Sequence, residues 1–173
     1  MFVMGIDPGL SRCGYGLVCR NGANFKALAA GVLTTPIDID IPCRLAILAA
    51  DLRSLFSELH PDVVVVERVF FQVNVKTAMS VGQASGLALA TAATSGIEVK
   101  EYTSNEVKQA VTGYGGASKQ QVAKMVAGLC ALAEPPSPPD AADALALAIC
   151  HLNSIGVSRR VAEALATGGK ARR

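Results

Sequence analysis

The sequence lacks the features that mark several specialised classes of protein. Its longest apolar runs, around residues 84–93 and 144–150, fall short of the roughly 20 residues that a membrane-spanning helix needs. The amino terminus has an aspartate at position 7 and no basic region, so we expect no signal peptide. No low-complexity block is present and 51% of the residues are apolar, which argues against extensive disorder. These absences favour a soluble, cytoplasmic protein with one packed domain.

Cysteine and net charge are also uninformative about a ligand. The five cysteines form no C-x-x-C pair and their number is odd, so we expect reduced thiols and no structural zinc site. The net charge is +2, but residues 157–173 hold five of the 16 basic residues and only one of the 14 acidic residues. The rest of the chain is therefore slightly acidic. A nucleic-acid-binding function has to rest on the local arrangement of residues, because the overall charge does not indicate one.

The spacing of apolar residues and turns predicts a mixed α/β domain. The first three strands should form an antiparallel meander, because Asn21-Gly22 is a strong hairpin signal. The valine run at 63–66 is typical of a central parallel strand. The predicted elements are strands 2–7, 14–20 and 25–34, helix 44–59, strand 63–66, helix 75–94, strand 97–102 and helices 104–112, 118–133 and 140–153. This order predicts a five-stranded mixed sheet flanked by helices over residues 1–153, followed by a basic, flexible C-terminal tail over 154–173.

Four carboxylates lie where predicted elements begin or end. Asp7 ends the first strand and Glu67 ends the fourth, whereas Asp140 and Asp143 share one face at the start of the last helix. If the first and fourth strands are neighbours, all four side chains meet at one edge of the sheet. They would repel each other unless cations compensate them. Hard oxygen ligands of this kind suit Mg²⁺ or Mn²⁺.

Each of these carboxylates also has an ordinary structural interpretation. Asp7 before Pro-Gly is a typical turn residue, and Glu67 at a strand end can pair with Arg68. Asp140 after two prolines is a good helix N-cap, and Asp143 in the first turn favours the helix dipole. The combination of all four is much rarer than any one of them, and it favours a metal site.

Five segments resemble the RuvC family, bacterial Holliday-junction resolvases with a ribonuclease H-like fold. They are GIDPG (5–9), VVVVERVFF (63–71) with Asn74, VKQAVTGYG (107–115), ASKQQV (117–122) and PDAADALALAICH (139–151). The resemblance covers residues 1 to about 152. It implies that Asp7, Glu67, Asp140 and Asp143 are the catalytic tetrad. Some members have a histidine at the position of Asp140, and this sequence does not.

The resemblance also implies a reaction and its partners. The family enzyme is a homodimer that nicks two strands of like polarity at symmetric positions across a four-way DNA junction. Its products carry 5′-phosphate and 3′-hydroxyl ends, and it works with the RuvA and RuvB branch-migration proteins. We expect Mg²⁺, with Mn²⁺ as a substitute, as two ions per active site, because two ions about 3.5–4 Å apart activate the water and stabilise the leaving oxygen. Asp7 is expected to bridge them.

Basic and aromatic residues near the acids are candidates for DNA contact. Lys119 matches a family position that faces DNA near the cut site, and Lys108 matches a second basic family position, although exposed helix lysines are common. Phe70 and Phe71 cannot both enter one face of the core if the chain is extended, so we expect one ring to be exposed beside the acids. The resemblance implies that an aromatic ring at this place stacks on an unpaired junction base, and we expect Phe70 rather than Phe71 to be that ring. The weaker candidates for phosphate contact are Lys76, Arg12 and Arg68.

We also predict roles for His151 in the last helix and for the outer face of helix 75–94. His151 lies about 16 Å along its helix from Asp140, too far to join the same metal site, so we expect a structural role. Helix 75–94 carries small residues, and the resemblance implies a dimer contact on its outer face. In the cell, the family resemblance implies a cytoplasmic, nucleoid-associated protein.

Three other functions stay open at the level of sequence. GIDPG also resembles the first phosphate loop of actin-like ATPases and sugar kinases, but Asp140-Ala-Ala-Asp143 has no glycines and the chain holds one domain. A junction-binding protein without activity would bind junctions in Mg²⁺ and leave them uncut. A general nuclease of the same fold would cut linear duplex as well as junctions.

Overall fold

A computed structural model describes residues 1–22, 24–68 and 75–168, with side chains for 1–22, 24–68 and 78–156. Over this part of the chain, strands and helices follow the predicted order. The elements are β1 (Phe2–Asp7), β2 (Arg12–Asn21), β3 (Asn24–Thr34), α1 (Ile41–Leu59), β4 (Val63–Glu67), α2 (Val75–Thr94), β5 (Glu98–Tyr102), α3 (Ser104–Thr112), α4 (Lys119–Leu129) and α5 (Pro139–Gly168). The predicted five-stranded mixed sheet is confirmed.

The sheet order places the ends of β1 and β4 side by side. The strands run in the order β3-β2-β1-β4-β5, with antiparallel pairing from β1 to β3 and parallel pairing from β1 through β4 to β5. Ile6 pairs with Val66, so Asp7 and Glu67 leave adjacent strands at the same edge. The hypothesis that the four carboxylates meet requires the first and fourth strands to be neighbours in this way.

The core has two layers, one on each face of the sheet. Side chains alternate along the central strands, so Val63 and Val65 pack towards α3, α4 and α5, whereas Val64 and Val66 pack towards α1 and α2. All four valines are buried on this two-sided sheet. The continuous apolar run of β4 therefore reflects burial on both faces and fixes the point at which Glu67 emerges.

Helix α5 lies directly on the backbone of β1 and β2. A Cβ atom on Gly14 would lie 2.6 Å from the carbonyl carbon of Asp140 and 3.0 Å from its Cβ atom, and one on Gly16 would lie 2.7 Å from Cγ of Leu145. A Cβ atom on Gly5 would overlap the carbonyl of Ala144. Only glycine admits this approach, and the approach sets Asp140 over the edge where Asp7 ends.

The boundaries of α1 and α4 depart from the prediction. α1 starts at Ile41, before the predicted residue 44. α4 ends at Leu129 and not near 133, because Ala131 adopts a left-handed conformation (φ 52°) and the Leu132 N–H donates back to the Ala127 carbonyl. The predicted capping residues Thr103 and Ser118 both form reciprocal capping boxes.

The prediction that the last helix ends at Asn153 is wrong. α5 continues to Gly168, so most of the segment predicted as a tail is helical. The segment 161–166 is rich in alanine, leucine and glutamate, which have high helix propensity, and no proline interrupts the helix after Pro139. The division at residue 153 into a nuclease domain and a flexible tail stays a prediction.

His151 ties α5 to β5 within the core. Its Nδ1 lies 2.9 Å from the hydroxyl of Tyr102, which also lies 2.8 Å from the hydroxyl of Ser154. The ring is buried, and burial lowers its pKa below the ordinary value of 6.5, with the charge of Glu98 opposing and that of Lys100 adding to this shift. These contacts fit the structural role expected from sequence.

The pH dependence of stability should report on His151. A histidine whose folded-state pKa is lowered favours folding while it is neutral, so its contribution is present above pH 6.5 and is lost as the pH falls below that value. We expect the free energy of unfolding, measured in urea, to fall between pH 7 and pH 5, and His151→Gln to reduce that fall. His60→Asn, at the exposed end of α1, is the control. An unchanged slope in His151→Gln would contradict the assignment.

Candidate active site

The four predicted carboxylates surround one edge of the sheet. Asp7 and Glu67 are the last residues of β1 and β4, and both are partly buried. Asp140 is the second residue of α5, and Asp143 follows one turn later with 23% of its side chain exposed. Asp7 pairs with Gly14 across β1 and β2, and Gly14 lies against the Asp140 backbone. Strand ends and a closely packed helix thus bring the acids together.

Their mutual repulsion is visible in the pKa of Asp7. Burial, followed by the charges of Asp143 and Glu67 and the weaker effect of Asp140, raises the pKa of Asp7 to about 7, while Lys119 opposes the shift. The pKa of Glu67 is also raised, first by burial and then by Asp143. All four acids therefore act within one electrostatic field. Because these carboxylates repel each other, a cation bound among them would lower their electrostatic free energy.

Two cationic side chains already contact the acids of α5. Arg12 donates to Oδ2 of Asp140 from Nε at 3.1 Å and from Nη2 at 2.7 Å. Lys119, the first residue of α4, donates from Nζ to Oδ2 of Asp143 at 2.7 Å, and this contact raises the pKa of Lys119. Each cation thus reaches one of the two acids from a different element.

A small pocket opens beside Glu67 and Asp143. Its volume is about 90 Å³, and its polar lining is formed by Glu67, Ser104, Lys108, Lys119 and Asp143. A hydrogen bond from the Ser104 side chain and the positive charges of Lys119 and Lys108 favour the ionised form of Glu67, against the effect of burial on its pKa. The two lysines predicted from sequence therefore lie beside the acids.

Ser104 is a site residue that the sequence analysis missed. It begins α3 directly after the capping residue Thr103, so in sequence it is an ordinary helix-start serine. The signal that was available is the register of the sheet: Glu67 pairs with Tyr102, so the residues following β5 emerge beside Glu67. Strand register, once known, places Ser104 at the acidic edge.

The donor set fits a divalent cation. Among the residues that the structure describes, no three Asp, Glu, His or Cys side chains are gathered closely enough to hold one ion as they stand. Asp140 and Asp143 are turned to Arg12 and Lys119. The available oxygens all come from carboxylates, and such hard donors suit Mg²⁺ or Mn²⁺ rather than a thiophilic metal. Carboxylates that raise each other's pKa gain most from a bound cation.

The remaining predicted DNA contacts are only partly described. Arg68 follows Glu67 with an exposed side chain, and its backbone N–H donates to the Tyr102 carbonyl at 2.8 Å. Phe70 and Phe71 lie outside the described residues. Lys76 belongs to α2, but its side chain also lies outside them.

Comparison with known proteins assigns the family. A family described as "Crossover junction endodeoxyribonuclease RuvC" matches residues 3–151. The chain belongs to the RuvC family. A RuvC from Syntrophomonas wolfei subsp. wolfei is 45% identical over 172 residues, covering 99% of this chain and 100% of the relative. A RuvC from Salinispora arenicola is 51% identical over 165 residues, covering 95% and 94%.

The solved RuvC structures share the fold. Thermus thermophilus RuvC in complex with a Holliday junction substrate has a TM-score of 0.86 and 36% identity, covering 91% of this chain and 96% of that one. The ribonuclease H-like fold predicted from sequence is thereby confirmed, and membership of the RuvC family implies a metal-dependent nuclease. No helix in the described part of the chain is long and apolar enough to cross a membrane.

Proposed function

We propose that this protein is a Holliday-junction resolvase. It makes paired, symmetric nicks in four-way DNA junctions during recombination and repair, leaving 5′-phosphate and 3′-hydroxyl ends. The observation that carries the proposal is the set of four carboxylates at one sheet edge, in a chain that matches RuvC from residue 3 to 151. No glycine-rich phosphate loop accompanies the last two acids, which disfavours the ATPase alternative.

Asp7, Glu67, Asp140 and Asp143 are the residues that would hold Mg²⁺, with Mn²⁺ as a substitute and two ions per site. Such ions, when bound, lower the pKa of the attacking water and stabilise the leaving 3′-oxygen. Asp7 would be the central ligand, because the charges of all three other acids act on it. Because its pKa is raised to about 7, a cation held there would compete with the proton on this carboxyl.

The lysines serve the phosphate that is cut. Lys119, 79% exposed and paired with Asp143, lines the same pocket as Lys108, so both amines lie where a phosphate next to Glu67 would bind. A fixed positive charge at that position stabilises the charge that develops on the phosphate oxygens. Arg68 and Lys76 are further candidates for backbone contacts, which position the DNA without reading its sequence.

The functional unit is a homodimer, because two symmetric nicks require two active sites. The outer face of α2 suits the contact: Met79, Gln83, Gly86 and Ala90 are exposed at helical spacing and include small residues that permit close approach. RuvA and RuvB are the proposed partners in branch migration, and the cytoplasmic nucleoid is the proposed location.

A junction-cleavage assay tests the proposal. Purified protein should cut a synthetic four-way junction in Mg²⁺, leave it intact in EDTA, and place two nicks symmetrically on strands of like polarity. The same protein should leave a linear duplex of matching sequence uncut. Equal cutting of both substrates would favour a general nuclease, binding without cutting would favour a junction-binding protein, and ATP turnover without DNA would favour the ATPase alternative.

Phe70 should contribute to cleavage through stacking. We expect Phe70→Ala to slow single-turnover cleavage by about 5- to 150-fold, because stacking of an aromatic ring on a base contributes about 1–3 kcal/mol. The matched variant Phe71→Ala should have a smaller effect on cleavage and a larger one on thermal stability. Wild-type cleavage by Phe70→Ala would remove it from the DNA interface.

A further inference from the structure

Arg12 and Gly14 face the same helix from the same side of β2. Residues two apart on a strand point to one face of the sheet. Gly14 brings the Asp140 backbone against the strand, and Arg12 reaches across to the Asp140 side chain, 128 residues away in the chain. The position of the α5 backbone and the direction of its first carboxylate are thus both set by β2.

The contact between Arg12 and Asp140 uses one carboxylate oxygen only. Nε and Nη2 of Arg12 both donate to Oδ2 of Asp140. Within the described residues, no hydrogen bond reaches Oδ1 of Asp140. Lys119 holds Asp143 in the same way, through Oδ2. In metal sites, a donor that hydrogen-bonds to a ligating carboxylate helps to fix the orientation of that ligand.

We propose that Arg12 is a positioning residue for Asp140, holding Oδ2 so that Oδ1 faces the divalent cation. This inference rests on the proposed metal site. It differs from the phosphate contact expected from sequence, in which Arg12 acts on DNA, and from a counter-ion that the metal has to displace. The three roles change metal affinity in different directions.

The salt bridge itself adds little to the stability of the fold, which makes the roles separable. The Arg12 side chain is 51% exposed and that of Asp140 is 27% exposed, and ion pairs open to solvent contribute little. Arg12→Ala should therefore fold with nearly unchanged thermal stability. A change in metal binding in that variant then reflects the orientation of Asp140.

Metal binding without DNA is the direct test. The protein is titrated with Mn²⁺, and electron paramagnetic resonance measures the concentration of free Mn²⁺. The titration gives the Kd of Mn²⁺ for wild type, Arg12→Ala and Arg12→Lys. We expect a Kd about 10- to 100-fold weaker in Arg12→Ala, the usual effect of losing a partner that orients a ligand. Arg12→Lys should recover part of the loss, because it restores one donor to Oδ2.

Arg44→Ala is the matched control. Arg44 donates to the hydroxyl of Ser11 at 2.6 Å and to that of Thr35 at 3.0 Å, so it supports the chain next to Arg12 without touching an acid of the site. Its Mn²⁺ affinity should equal that of wild type. This variant separates a loss of local support from a loss of the contact to Asp140.

Two results would overturn the proposal. Tighter Mn²⁺ binding in Arg12→Ala would make Arg12 a counter-ion that the metal displaces. Unchanged Mn²⁺ binding with weaker junction binding in EDTA would make it a DNA contact. Junction cleavage by the wild type is measured separately and tests the resolvase function itself. If the wild type cuts junctions and Arg12→Ala binds Mn²⁺ with normal affinity, only the role of Arg12 is contradicted.

Discussion

Asp7→Asn should reduce junction cleavage by at least about 1,000-fold and leave junction binding intact. The asparagine keeps the size of the side chain but removes the charge of the proposed central ligand. A loss of about 4 kcal/mol of transition-state stabilisation corresponds to that factor. The proposed DNA contacts come from other residues. Affinity for the junction in EDTA should therefore stay within about threefold of wild type, since phosphate contacts supply most of it. Single-turnover cleavage and a mobility-shift titration measure the two effects. Loss of both would contradict the assignment of Asp7 to the metal.

The same variant should be more stable than wild type when metal is absent. The folded-state pKa of Asp7 is about 7 against an ordinary 3.8, so its favourable contribution is present below pH 3.8 and is lost as the pH rises through 7. In EDTA at pH 8, Asp7→Asn should gain on the order of 1–3 kcal/mol, because each unit of pKa shift corresponds to about 1.4 kcal/mol and solvent screening reduces the total.

The stability difference has a distinctive pH profile. It should shrink as the pH falls from 7 towards 3.8 and below, where Asp7 becomes protonated in the unfolded state as well as in the folded state. Asp38→Asn, in the exposed segment before α1, is the control and should change little. Urea unfolding at several pH values measures the profile, and a destabilised Asp7→Asn at pH 8 would contradict the electrostatic description of the site.

Gly14→Ala should have the second large effect, on stability and cleavage together. The added methyl group would lie 2.6 Å from the Asp140 carbonyl carbon. This atom belongs to the backbone, so the clash cannot be relieved by rotating a side chain. α5 then has to move away from β2, and overpacking of this kind costs about 1–3 kcal/mol or more. Since Asp140 moves with the helix, cleavage should fall at least about 100-fold even where the variant is fully folded.

Gly128→Ala is the matched control for that substitution. Gly128 lies in α4 with nothing within 4 Å of an added Cβ atom, and its backbone is helical. Alanine at an exposed helical position should stabilise the protein by about 0.5–1 kcal/mol and leave cleavage unchanged. Urea unfolding and single-turnover cleavage compare the two variants. A Gly14→Ala variant with wild-type cleavage would show that α5 tolerates displacement.

The position of the acids was predictable because it depends on local patterns. A valine run ending in Glu67 and a strand ending in Asp7 are visible in the sequence. Their meeting depended on the two strands being neighbours, and the structure shows that β1 and β4 pair in parallel. The i, i+3 spacing of Asp140 and Asp143 needs only a helix. These features required no knowledge of which side chains touch across the fold.

The partners of the acids were not predictable in the same way. Arg12 meets Asp140 only because Gly14 lets α5 approach β2, and Ser104 meets Glu67 only because β5 is in register with β4. Both contacts depend on packing between distant segments. The end of α5 was misjudged for another reason: residues 161–166 have high helix propensity, and no proline follows Pro139 to end the helix.

The most direct test of the metal site is the anomalous scattering of Mn²⁺ in crystals of the protein bound to an uncut junction. We predict Mn²⁺ peaks among the carboxylates of Asp7, Glu67, Asp140 and Asp143, with Asp7 in contact with every ion, and no peak there in crystals of Asp7→Asn. Mn²⁺ bound elsewhere, or no ion beside Asp7 in crystals that hold junction DNA at the pocket of Lys108 and Lys119, would contradict the assignment of these four acids to the metal.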